Sequence, residues 1–110
     1  MRPLITASVW CVMVVAGANL AAGQEFGEAS AGYDYASKIC SGCHAVQKGA
    51  NASPNGKAPA FEAIANTRGM TEMALRVWFQ TPHPTMPNLI INARQKDDVI
   101  AYILSLKERP

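Results

Sequence analysis

Cys40-Ser41-Gly42-Cys43-His44 constrains this chain more than any other stretch. Two thiols three residues apart, followed at once by an imidazole, have the spacing of a c-type haem attachment site. On a helical turn, Cys40 and Cys43 point to one side, and each can form a thioether to one edge of a porphyrin. His44 is then held under the iron as an axial ligand. Ser41 and Gly42 are small, so a ring can lie close to the backbone. Three other chemistries use similar residues. A thioredoxin-like redox pair expects a βαβ setting. A structural zinc site needs four ligands, and beyond the first 23 residues the chain has only these two cysteines, His44 and His83 to offer. A disulfide across so short a loop would have no use for His44.

The first 23 residues read as a secretory signal peptide, with residues 24–110 as one domain. Met1-Arg2 is a short positive start, Leu4 to Ala16 is nearly all apolar, and Ala21 and Gly23 are the small residues before a cut. The competing reading is an uncleaved membrane anchor. Thr6, Ser8 and Asn19 interrupt a run already near the lower limit for spanning. Cys11 lies in this leader and would leave with it. Removing Arg2 leaves nine basic residues against eight acidic, a formal charge of +1. No basic cluster marks a nucleic-acid footprint. A domain of 87 residues is small for a self-sufficient core, and a buried macrocycle would supply much of what is missing.

The rest reads as helices joined by loops. Gln24 to Gly27 reads as a frayed start, and Glu28 to Ile39 as a helix with acids at its positive end. Gly32 inside that helix costs about 1 kcal/mol against alanine; it is either a tolerated surface glycine or a close helix contact. Ala45 to Lys57 is polar and glycine-rich, a loop. Pro59 to Ala65 predicts a short helix with proline in its first turn. Thr71 caps the next helix, with Glu72 in its first turn and Met73, Ala74, Val77 and Trp78 as an apolar face. Met70 and Met73 are thioethers, but methionine on a helix face is usually core filler. Three prolines between Thr81 and Asn88 forbid regular helix. Asn92 with Gln95 predicts a capping box for a last helix. Val99, Ile100, Ile103 and Leu106 are its buried stripe, and Lys107 and Arg109 suit its negative end.

Together these segments resemble the class I, monohaem cytochromes c. Gly32, eight residues before Cys40 with Tyr35-Ala36 between, resembles that family's first helix. Asp98-Val99-Ile100-Ala101-Tyr102-Ile103 resembles its last. The resemblance covers most of Gly27 to Leu106. It is strong at the haem motif and the last helix, and weak between. It implies an all-α fold of three to four helices wrapped around one covalently attached haem c. The first and last helices would cross at Gly32, with Tyr102 packed over it. A proline carbonyl, from Pro59 or its rival Pro54, would bond the other ring nitrogen of His44. Thr85-Met86-Pro87 resembles the family's distal-ligand loop, so the resemblance implies His44 and Met86 as the iron ligands, with His83 the rival to Met86. Arg68, Arg76 and Trp78 are candidates to meet the haem propionates.

The function so implied is one-electron transfer in the periplasm, between transient protein donors and acceptors, without enzymatic turnover. Thioether attachment outside the bacterial cytoplasm, another implication of the resemblance, agrees with export. If Met86 does not bind, a five-coordinate iron makes a peroxide-reducing or gas-binding protein the alternative. A haem subunit of a larger dehydrogenase complex is a third.

Overall fold

The computed structural model describes residues 27–81, 86 and 91–109. The leader reading for residues 1–23 and the ligand candidate His83 lie outside the described residues. Four helices carry the described chain: α1 (Ala29–Ile39), α2 (Phe61–Ala65), α3 (Glu72–Gln80) and α4 (Ala93–Ser105). No strand occurs among the described residues. The all-α expectation holds at this level.

Helix α4 is the spine. Helices α1, α2 and α3 each pack on it, and none of the three packs on another. Its buried residues Val99, Ile100, Tyr102 and Ile103 recur at helical spacing. They share a core with Phe61, Ala65, Met70, Leu75 and Leu106. On α1 the matching stripe is Gly32, Ala36 and Cys40, four residues apart and all buried. A Cβ built on Gly32 would stand 1.9 Å from the Asp98 carbonyl oxygen and 2.9 Å from the Tyr102 Cβ. The helices therefore touch backbone to backbone at Gly32, under Tyr102, as the resemblance implied.

The start of α1 corrects two expectations. Gly27 is not frayed: its φ of +95° suits glycine, and a Cβ there would fall 2.3 Å from the Asp97 carbonyl. The helix begins at Ala29 with no acid in its first turn, and Glu28 caps it without a side-chain bond. The negative group comes instead from α4, where Asp98 Oδ1 accepts the Glu28 backbone N–H at 2.8 Å. One buried carboxylate thus satisfies an otherwise unpaired amide at the positive end of a helix seventy positions away.

Helices α3 and α4 are both capped by the expected side chain, but of the capping box at Asn92 only one half forms, with no return bond from the Gln95 side chain. Thr71 Oγ1 accepts the Ala74 N–H at 3.2 Å, and Asn92 Oδ1 accepts the Gln95 N–H at 2.8 Å. The apolar face of α3 is a correction. Leu75 is its buried residue, with Ala74 and Phe79 packed alongside. Met73, Val77 and Trp78 are 69%, 55% and 57% exposed, so they are not core filler. The helix is rotated so that Leu75 meets α4. Arg76 fixes that rotation, bonding Glu72 one turn back and Asp97 on α4, each at 2.7 Å. The short helix α2 starts at Phe61, capped by Ala60, so Pro59 precedes it and is not in its first turn. Lys107 lies past the end of α4, and its Nζ donates to the Met70 carbonyl at 2.7 Å; it does not serve the helix dipole.

Candidate haem site

Helix α1 runs directly into the motif. The Cys40 N–H closes the last turn on Ala36 O at 2.8 Å. The N–H groups of Cys43 and His44 then return to Cys40 O at 3.1 and 2.9 Å. One turn so formed carries both thiols and the imidazole in sequence. Cys40 is buried, Cys43 is exposed, and neither is in a disulfide. Burial pushes the Cys40 thiol up from its ordinary value. A reactive redox thiol needs the opposite shift, and the described chain has no βαβ setting. The zinc reading also loses ground, because no group of three His, Cys, Asp or Glu gathers among the described residues.

The loop after the motif folds back to hold it. Ala45 N–H donates to Ser53 Oγ at 3.0 Å, and Phe61 N–H donates to Ala45 O at 2.9 Å. Asn55 N–H reaches Cys43 O at 3.1 Å. These bonds bring the start of α2 alongside His44. The Pro59 carbonyl then lies 2.7 Å from His44 Nδ1. A carbonyl only accepts, so Nδ1 carries the proton and Nε2 presents its lone pair. Pro59, not Pro54, is the partner. The Phe61 ring packs against the imidazole at 5.3 Å between centroids. His44 is therefore fixed in tautomer by one neighbour and in orientation by two, which is how metal-binding histidines are held.

Other candidates stand as follows. Met86 is half-buried at a bend between α3 and α4. Met70 is buried in the core, with its carbonyl bonded to Lys107. Arg76 is committed to Glu72 and Asp97, and Arg68 is exposed. A surface cavity of about 710 Å³, lined by Asn51, Ser53, Pro59, Glu62 and Glu108 among others, includes none of Cys40, Cys43, His44 or Met86. It is not this site.

Four large apolar side chains among the described residues are exposed. Ile39, one residue before Cys40, is 47% exposed, and Met73, Val77 and Trp78 are more so. Ile39 belongs to α1 and the other three to α3, two helices that pack on α4 but not on each other. At Gly42 a Cβ would meet nothing within 4 Å, so the backbone between the two thiols is open to a close neighbour. Cys40 and Cys43 would hold a haem covalently, and His44 Nε2 would bind its iron. The exposed α3 face was not legible as such, although its signal was present: α3 has more apolar residues than one buried stripe can use. Asp98 was missed as the partner of α1.

No protein-family model, no curated protein and no solved structure matches the chain.

Proposed function

We propose that this chain is an exported one-electron carrier with a single covalent c-type haem. The observation that carries the reading is the His44 arrangement. An imidazole held by Pro59 and Phe61, with Nε2 free, directly follows two uncombined thiols on one turn. The haem would supply a reversible ferric–ferrous couple, and the chain supplies attachment, ligands and burial. Met86 is proposed as the second ligand, and a methionine opposite histidine raises the reduction potential. Donors and acceptors would be redox proteins meeting the haem edge through small, brief interfaces.

Covalent attachment is tested by acid–organic extraction of matured protein. Haem should stay with the polypeptide, one per chain by mass, and Cys40→Ala or Cys43→Ala should leave one thioether and a poorly matured product. Complete extraction of free haem from the wild type would sink the proposal.

Export to the periplasm rests on the leader composition, with residues 24–110 as the mature domain. No helix among the described residues is long and apolar enough to cross a membrane. Sequencing of the mature protein should begin near Gln24. An N-terminus inside the apolar run, together with membrane association, would favour the anchor.

A further inference from the structure

Both neighbours that hold His44, the Pro59 carbonyl and the Phe61 ring, lie at the start of α2. That helix is five residues long. A helix so short is not stable by itself in water, so its position is imposed from outside. Packing supplies part of it, because Phe61 and Ala65 are buried in the core. Apolar burial is non-directional, and by itself it does not fix how far α2 slides or rolls against that core. Directional bonds at the two ends do. At the front, the Phe61 N–H donates to Ala45 O at 2.9 Å. At the back stands Asn66, the residue that ends α2.

The Asn66 side chain is exposed, yet its amide is committed. Nδ2 donates to Glu62 O within α2 at 2.9 Å and to Leu106 O at 3.3 Å, and Oδ1 accepts the Glu108 N–H at 2.7 Å. Both N–H donors of the amide are used, and all three partners are backbone groups. Leu106 ends α4, where helix carbonyls lack partners of their own. One side chain therefore fastens the back of α2 to the end of the helix on which the others pack. Another tie at this end, Lys107 Nζ to Met70 O at 2.7 Å, holds the connector between α2 and α3 and not α2 itself.

We propose that Asn66 is a positioning residue for His44: by fastening α2 to the end of α4, it sets the Pro59 carbonyl at bonding distance from Nδ1. The inference rests on the haem reading above, in which His44 is the axial ligand. Hydrogen bonds weaken steeply with misalignment, so a small shift of α2 weakens the 2.7 Å contact between Pro59 O and Nδ1. Outer-shell partners of this kind orient a metal-binding imidazole and raise its basicity. Asn66 has no bond to the imidazole and acts through Pro59.

The bond can be read directly. Haem-bound protein, verified by mass, is reduced under carbon monoxide, so the iron is diamagnetic whether Met86 or the gas takes its second position. Nitrogen-15 NMR then follows exchange of the His44 Nδ1 proton with water, alongside the core amides of Val99 and Ile100. Asn66→Ala should speed the Nδ1 exchange by about tenfold, roughly the factor that one lost hydrogen bond is worth. The Val99 and Ile100 amides should change far less. Asn66→Ser keeps a hydroxyl that can return to Glu62 O, as Thr67 Oγ1 returns to Ala63 O at 2.9 Å, but loses the link to α4. It should speed the exchange as well, and it decides the matter if the alanine variant does not fold. Lys107→Met should leave the Nδ1 exchange unchanged. An Nδ1 rate unaltered by the Asn66 variants overturns the proposal. So does one that rises only in step with Val99 and Ile100, which is a general loss of stability. Lys107→Met acting as strongly as Asn66→Ala overturns it too. Each of these results leaves the haem reading standing; protein that never acquires haem defeats both.

Discussion

Gly32→Ala should lower the thermal midpoint of the domain by roughly 12–24 °C. The added methyl has no free space. Its Cβ would lie 1.9 Å from the Asp98 carbonyl oxygen and 2.4 Å from its carbon. These are backbone atoms of α4, so no side-chain rotation relieves the clash. The two helices must separate, and with them go the Glu28–Asp98 bond and the packing of Tyr102 against Tyr33. Overpacking costs about 1–3 kcal/mol, and a clash with backbone belongs at the upper end. In a domain of this size each kcal/mol moves the midpoint by about 4–8 °C. Total stability of about 5–15 kcal/mol makes this a large fraction. Gly32→Leu should be worse, since a longer side chain must also displace Tyr102. Gly56→Ala is the control: nothing lies within 4 Å of a Cβ there, so the change should stay within about 0.5 kcal/mol. The measurement is a circular-dichroism melt of the haem-bound variants. A Gly32→Ala curve superimposed on wild type would show that the helix crossing contributes nothing to stability.

The features legible in the sequence were those whose partners lie within a few residues. Thr71 and Asn92 each bond an amide three positions on, and composition around each helix start is enough to read that. The motif itself was legible for the same reason, since one turn joins Cys40, Cys43 and His44. Partners far along the chain were not. Asp98 entered only as the first residue of the stretch resembling a last helix, yet it completes the amino-terminal end of α1. Lys107 read as a helix-end cation, and it binds Met70 thirty-seven positions back. The crossing at Gly32 came from family likeness, because a lone glycine in a helix carries no local sign of what lies against it. Between Pro54 and Pro59, spacing left the choice open. The return of Phe61 N–H to Ala45 O decides it, a bond between a loop and a helix start that no local pattern encodes. The α3 face shows the limit of periodicity. Helical spacing groups Met73, Val77 and Trp78 correctly but says nothing about whether they meet protein, solvent or a prosthetic group.

Met86→Ala should abolish the far-red sulfur-to-ferric charge-transfer band of the holoprotein, lower its reduction potential and admit cyanide faster. The thioether favours ferrous iron, so its loss moves the couple downward. Imidazole is often the stronger ligand for ferric iron, which is the argument for His83. That residue sits between Pro82 and Pro84, where two rings restrict the backbone that must aim it. Met86 is half-buried at its bend, an environment that suits a thioether better than a charged or hydrated group. The anchor beyond the loop is firm: Asn92 caps α4, and α4 is the element on which every other helix packs. The preceding side is firm as well, because Arg76 ties α3 to the same helix through Asp97. The described elements on either side of Met86 are thus both tied to one helix. His83→Ala should therefore leave the band, the potential and the cyanide rate nearly unchanged. If His83→Ala moves all three and Met86→Ala does not, the iron has two histidine ligands and a lower potential, and its partners belong to a more reducing part of the electron-transfer chain. If neither does, and cyanide binds the wild type at once, the iron is five-coordinate and the peroxide-reducing or gas-binding reading takes over.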